Sequence, residues 1–224
     1  MKKNKIFIAC DTSSISKVNE IIKKTQNSKI KIGYKFGLEF LNSKNGRNFI
    51  SKLKNKIIFI DLKLNDIPNT MSSTLKSLKD LRINYLTVHI SSGLKALKEV
   101  KKVCGKIKIV GVTTLTSLDN EDLKSIGHQR SLKDIVKLQA KLASKAKLDA
   151  IVCSPHEVKE VKKIFKKEII TPGIRLLGDL IGDQKRIMTP KEAFQNGATS
   201  LVIGRSLTKG NVKKNIQKLI RELK

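Results

Sequence analysis

Short runs of apolar, mostly β-branched residues recur along the chain, and an amphipathic stretch follows almost every one. Eight such runs stand out: Lys5 to Asp11, Lys29 to Phe36, Lys56 to Lys63, Tyr85 to Ile90, Lys108 to Thr114, Ala150 to Ser154, Glu168 to Pro172 and Ser200 to Gly204. Runs of this length and composition suit parallel strands with buried faces. The intervals carry apolar positions at helical spacing, as in Met71 to Leu81, Leu132 to Ala146 and Val212 to Leu223. No Pro- or Gly-rich linker divides the series, so the pattern predicts an α/β chain forming one domain over residues 1–224, a closed (β/α)8 TIM barrel rather than an open sheet. At 224 residues and 39% hydrophobic content the chain can bury a core of that size.

A barrel of this kind makes a demand on the sequence, because its reacting groups belong where strands end and loops begin. Asp11, Lys35, Asp61 with Lys63, His89, Thr114 with Thr116, Ser154, Arg175 and Arg205 all fall at or just beyond the C-terminal end of a predicted strand. Charges near the opposite ends are mainly lysines, whose long stems can carry the ammonium out to solvent. The asymmetry predicts a polar site at one mouth of the barrel.

Charge changes the picture little. The formal net charge is +28, from 47 Lys and Arg against 19 Asp and Glu, and a basic chain can bind nucleic acid by releasing counterions. Here the excess is mostly lysine, spread along helix-like stretches such as Lys95, Lys98, Lys101 and Lys102, and aromatic residues for base stacking make up only 4%. Solvated helix faces account for that distribution, so no specific nucleic-acid partner is expected. The first apolar run, Ile6 to Cys10, is far shorter than a signal-peptide core or a membrane span, and neither export nor membrane association is expected. Cys10, Cys104 and Cys153 stand far apart with no CxxC pair, which argues against a zinc site or a disulfide framework and fits a reducing cytoplasm.

The densest chemistry lies in IIFIDLKLNDIPNT, Ile57 to Thr70. Residues two apart on a strand share a face, so Asp61 and Lys63 are expected to point with Phe59 into the barrel mouth. Asp66 follows one short loop later. A bare D-x-K-x-x-D is equally an ordinary ion pair at a strand end with Asp66 capping the next helix. The continuation Ile67-Pro68-Asn69-Thr70 shifts the balance between the two readings.

With it, the run closely resembles the orotidine 5'-monophosphate decarboxylase family, whose signature reads D-x-K-x-x-D-I-P-x-T after an apolar strand. Further matches follow in the family's order: ACD at Ala9 to Asp11, KFGLEF at Lys35 to Phe40, TVH at Thr87 to His89, VTTLTS at Val112 to Ser117, VCS at Val152 to Ser154, TPGIR at Thr171 to Arg175, GDQKRIMTP at Gly182 to Pro190 and IGR at Ile203 to Arg205. The resemblance implies decarboxylation of orotidine 5'-monophosphate to uridine 5'-monophosphate, without a cofactor, by an array of alternating sign: Lys35, Asp61, Lys63 and Asp66. It also implies a homodimer in which Asp66 and Thr70 reach into the neighbouring subunit's site. Both Lys31-Ile32-Gly33 and Lys35-Phe36-Gly37 fit the short lysine pattern. Lys35 is the match, since Leu38-Glu39-Phe40 follows it, whereas Lys31 would lie about 13 Å deeper along the strand.

By the same resemblance Lys63 protonates C6 of the pyrimidine, with carboxylates on either side holding its ammonium in place, and Asp61 lies near the departing carboxylate. Asp11 with Lys35 is placed at the ribose hydroxyls, Thr116 at the pyrimidine, and Arg175, Arg205, the Gly204 backbone and Gln184 at the phosphate. Leu176 to Gln184 reads as a loop closing over that phosphate, with Gly178 and Gly182 as hinges. His89, His128 and His156 are isolated in sequence, so no metal site is expected. Three positions depart from the family's usual pattern: Leu176 stands where proline is common, Ile90-Ser91 replaces a small pair, and Cys10 replaces an aliphatic residue. Two other readings remain: a magnesium-dependent sugar-phosphate decarboxylase or synthase of the same superfamily, and a non-catalytic basic nucleic-acid-binding barrel.

Overall fold

The computed structural model describes residues 5–26, 30–179 and 187–223. Eight parallel strands close into the predicted barrel in sequence order: β1 (Lys5–Ala9), β2 (Lys31–Gly37), β3 (Ile57–Leu64), β4 (Tyr85–His89), β5 (Lys108–Val112), β6 (Ala150–Val152), β7 (Glu168–Thr171) and β8 (Ser200–Ile203), with β8 pairing back onto β1. Helices fill the intervals, among them Ile15–Thr25, Gly93–Val103, Leu132–Lys145 and Val212–Glu222. Local chemistry marks their starts. Ser14, Ser131 and Asn211 each accept a backbone N–H from the first turn of the helix that follows, and Thr189 with Glu192 forms a reciprocal capping box.

One helix differs from its predicted span. The apolar spacing predicts Met71 to Leu81, but the helix runs Pro68–Ser77 and a short 3-10 turn, Lys79–Leu81, follows. Pro68 occupies the first turn, where its fixed φ suits a helix and its missing N–H costs nothing. Arg82, at φ 46°, then turns the chain toward β4.

Two apolar clusters hold the barrel. The larger fills the space between strands and helices, and it takes in Cys10, Ile90 and Leu176, so the three departures from the family pattern have packing roles. Leu176 also donates its N–H to Asp179 Oδ2 at 3.3 Å, a bond that proline could not make. The smaller cluster lies inside the barrel and is built from Phe7, Ala9, Phe59, Tyr85, Val110, Ala150, Ile170 and Val202. Phe7 meets Phe59 and Tyr85 edge-on, with ring centroids 4.9 and 5.1 Å apart. Gly33, paired with Phe7 across β1 and β2, is required here, because a Cβ at that position would lie 2.7 Å from the Phe7 ring.

Below this apolar layer the barrel is plugged by charge. Glu168 receives Lys5 at 2.5 Å, Ser200 at 2.8 Å, Tyr85 at 3.1 Å and Lys108 at 3.2 Å. Burial pushes the Glu168 carboxyl up, but the Lys5 bond and charge, helped by Ser200 and Lys108, outweigh it and hold it below its ordinary value. The apolar layer therefore separates this base from the opposite mouth, where the strands' C-terminal ends carry the candidate site.

Candidate active site

At that mouth lies a cavity of about 420 Å³, lined by Asp11, Lys35, Asp61, Lys63, Thr87, Thr116, Arg175, Gly204 and Arg205 along with apolar groups from the inner layer. Seven strands or the loops leaving them contribute these nine residues. Inward alternation delivers most of them: Ala9 and Phe59 sit one inward step below Asp11 and Asp61, and Lys35 lies beside both Ala9 and Phe59 in the strand register.

Four charged groups form a chain across the mouth. Lys35 Nζ stands 3.0 Å from Asp11 Oδ1 and 3.2 Å from Asp61 Oδ2, while Lys63 Nζ stands 3.0 Å from Asp61 Oδ1. The inner pair is nearly dry, with side-chain exposures of 11% for Lys35 and 12% for Asp61, against 36% for Lys63. Burial alone would lower the Lys35 ammonium, but the charges of Asp61 and Asp11 overcome it and raise it above its ordinary value. Burial likewise would raise the Asp61 carboxyl, and Lys35, Lys63 and the Thr87 hydrogen bond together hold it low. The two therefore stay oppositely ionised at neutral pH. His89, at the end of β4, is pushed down by burial and by the Lys63 charge, so the neutral ring is favoured beside the array.

Lys63 reaches the mouth by an irregular backbone. Its φ is 50°, and the β3–β4 register shifts between Ile60 and Leu64. Left-handed backbone disfavours residues with a Cβ, so the conformation carries strain. Thr87 supports it: its hydroxyl accepts the Lys63 backbone N–H at 2.8 Å and donates to Asp61 Oδ1 at 3.0 Å. Sequence reasoning gave Thr87 no role of its own, although its place two residues before His89 on the inward face of β4 was the signal for it.

The remaining predicted residues divide. Arg175 is buried, its backbone N–H donating to Met188 O at 3.1 Å and its guanidinium to Ile174 O at 3.1 Å, so the Arg175 segment is tied to the chain that returns toward β8. Arg205 is exposed at the cavity rim, and Gly204 leaves room, since a Cβ there would meet nothing closer than 3.6 Å. Thr116 lines the cavity, whereas Thr114 turns to Gln139, donating its N–H at 2.8 Å, and Ser154 is fully buried. Lys31, the rejected lysine, is exposed at the opposite end of β2. Gln184 and Gly182 lie outside the described residues.

Asp66 and Thr70 do not join the array within one chain. Both are exposed, and Asp66 Oδ1 accepts the neighbouring Ile67 N–H at 2.7 Å. The cap position of the helix Pro68–Ser77 is Ile67, with no side-chain cap bond, so Asp66 is not the helix cap that an ordinary ion-pair reading requires. Ile67 itself is 66% exposed.

Among the described residues no three His, Cys, Asp or Glu side chains converge as a metal-binding group, and no helix is long and apolar enough to cross a membrane.

The chain is similar over nearly its whole length to known proteins. The model of the family described as "Orotidine 5'-phosphate decarboxylase / HUMPS family" matches residues 4–219. An orotidine 5'-phosphate decarboxylase of Wolbachia sp. subsp. Brugia malayi (strain TRS) is 45% identical over 224 aligned residues, covering 97% of each chain. One from Sphingopyxis alaskensis is 41% identical, covering 92% of each. Among solved structures, orotidine 5'-phosphate decarboxylase from Lactobacillus acidophilus superposes with a TM-score of 0.83 at 29% identity, covering 98% of this chain and 99% of that one. The Methanocaldococcus jannaschii enzyme, solved with the inhibitor BMP, shares the fold at a TM-score of 0.79 and 24% identity, covering 99% of both chains.

Proposed function

This chain belongs to the orotidine 5'-phosphate decarboxylase / HUMPS family, and from that premise we propose that it converts orotidine 5'-monophosphate to uridine 5'-monophosphate and carbon dioxide, with Lys63 delivering the proton to C6. The observation that carries this reading is the alternating chain Asp11–Lys35–Asp61–Lys63 at the cavity mouth.

The chemistry asks for such an array. When the bond from C6 to the carboxylate breaks, its electron pair stays in an in-plane orbital that the pyrimidine π system cannot absorb. Fixed charge around the carbon must then stabilise it, and preorganised groups do so without reorganising during the reaction. Lys63 gives one ammonium proton to C6 as carbon dioxide leaves, and its exposure to the mouth lets solvent return that proton afterwards. Asp61 faces the substrate carboxylate, where like charges about 4 Å apart repel by roughly 4 kcal/mol at an effective dielectric of about 20. Departure of neutral carbon dioxide relieves that repulsion. Lys35 holds Asp61 ionised and, with Asp11, serves the ribose hydroxyls.

Thr116 is assigned to the pyrimidine. Arg175, Arg205, Gln184 and the Gly204 backbone are assigned to the phosphate, because a guanidinium fork matches phosphate oxygens. The expected closing loop 176–184 runs beyond Asp179 into residues outside those described. Asp66 and Thr70 complete the site of a second copy. Their exposure beside the apolar Ile67 and their separation from their own chain's cavity favour that assignment. The functional unit in this reading is a cytoplasmic homodimer of one-domain chains spanning 1–224, working without metal or cofactor, with only nonspecific attraction for nucleic acid from its charge.

Purified protein in excess chelator, given orotidine 5'-monophosphate, should consume the substrate's ultraviolet absorbance rapidly, and a Lys63→Ala variant should be nearly silent. Absence of conversion by well-folded native dimer would overturn the assignment. Activity that required magnesium and a sugar phosphate would place the chain with the other branch of the family.

A further inference from the structure

One buried hydroxyl ties the strained backbone at Lys63 to the carboxylate that faces it. Thr87 is 1% exposed, on the inward side of β4. At Lys63 the strand leaves the extended region, with φ 50°, and its regular pairing with β4 slips. The displaced Lys63 N–H donates instead to Thr87 Oγ1 at 2.8 Å. An N–H can only donate, so the hydroxyl oxygen must accept there and its single proton is available elsewhere. That proton goes to Asp61 Oδ1 at 3.0 Å, the same oxygen that receives Lys63 Nζ at 3.0 Å. The bonds close a ring: Lys63 backbone to Thr87, Thr87 to Asp61, and Asp61 back to the Lys63 ammonium.

We propose that Thr87 is a positioning residue for proton delivery, its hydroxyl holding the left-handed backbone that aims Lys63 and turning Asp61 Oδ1 toward the Lys63 ammonium. This rests on the reading of Lys63 as the proton donor. Two features make the hydroxyl suited to the task. A β-branched side chain has few rotamers, so little freedom is lost in holding its oxygen between the two partners. At 1% exposure the hydroxyl position is poorly reached by water, so its removal leaves both partners short of a bond. Valine at this position keeps the branched shape and supplies neither the acceptor nor the donor, leaving the Lys63 N–H without its partner and Asp61 Oδ1 with one donor fewer.

The test compares Thr87→Val with Thr87→Ser, which keeps the hydroxyl and loses only a methyl. For Thr87→Val, kcat on orotidine 5'-monophosphate should fall about tenfold to a hundredfold while KM moves less than about threefold, as expected when an interaction to a charged group acts on the transition state. Thr87→Ser should restore kcat to within about threefold of native. A merely structural role would not produce that split or that rescue. A second readout needs no substrate: the Lys63 amide should exchange with solvent at least about tenfold faster in Thr87→Val than in native protein or Thr87→Ser. Should Thr87→Val fail to fold, Thr87→Ala enters the same comparisons. Native kcat in the valine variant, equal impairment of both variants, or an unchanged Lys63 amide would each overturn the proposal. If the native chain turned over no orotidine 5'-monophosphate, the reading of the reaction would fall, and the exchange comparison would still decide whether the hydroxyl holds Lys63.

Discussion

Lys63 stands 3.0 Å from Asp61 although the backbone that presents it is left-handed, with φ 50°. The ion pair and the strain are therefore separable. Replacing Lys63 with alanine or glycine removes the same ammonium, yet only glycine adopts this φ without a Cβ clash. Lys63→Gly should be more stable than Lys63→Ala by about 1 kcal/mol, the reverse of the usual order within a strand. Urea denaturation of the two inactive variants measures the difference. Equal stability, or a more stable alanine variant, would show that the backbone at Lys63 is not strained in solution.

The base of the barrel should affect stability and leave catalysis alone. Glu168 gathers Lys5, Tyr85, Lys108 and Ser200 on the far side of the apolar layer from the cavity. Glu168→Gln should cost about 1–3 kcal/mol at neutral pH through the lost charge-assisted bonds, with kcat and KM unchanged. The pH dependence has a definite sign. The folded-state carboxyl titrates below its ordinary value of 4.5, so its contribution is fully present above 4.5 and is lost as pH falls through the lower folded value. The stability gap between native and variant should therefore narrow on acidification below 4.5 and stay constant from there to neutrality. Melts across that range, beside assays at neutral pH, check both halves.

The barrel was legible because each strand carries a short β-branched run and each interval a helical spacing, and those two periods do not depend on distant contacts. Asp61 and Lys35 were legible for the same reason, as inward positions at strand ends. Lys63 was legible only in part: alternation predicts its face, but a register shift and a positive φ intervene, and neither leaves a mark in a string of letters. Thr87 was invisible as a participant because its importance lies in a hydrogen bond to a backbone 24 residues earlier. The charged base was equally hidden, since Lys5, Tyr85, Lys108, Glu168 and Ser200 meet only once the barrel closes. The proposed role of Asp66 rests on the motif alone, as nothing among the described residues of one chain brings it to the array.

The phosphate assignment can be separated from the chemistry of C6. Arg205 is exposed at the cavity rim, so its removal should leave the fold intact. Arg205→Ala should lower kcat/KM on orotidine 5'-monophosphate by roughly tenfold to a hundredfold, the scale of a lost charge-assisted contact. On phosphate-free orotidine the same variant should match the native chain. A loss of equal size on both substrates would place Arg205 away from the phosphate.

The proposed sharing of sites between two copies makes the sharpest demand. If Asp66 serves the neighbouring subunit's array, Lys63→Ala and Asp66→Ala each abolish both sites of their own homodimers by damaging different halves. A mixed dimer then holds one site with both lesions and one with neither. Equal amounts of the two inactive variants, unfolded together and refolded to allow exchange, should regain about a quarter of native activity, because random pairing makes about half the dimers mixed and half the sites in those intact. Thr70→Ala should complement Lys63→Ala in the same way. If Asp66 acted within its own chain, every site in the mixture would carry one lesion or the other, and no activity would return.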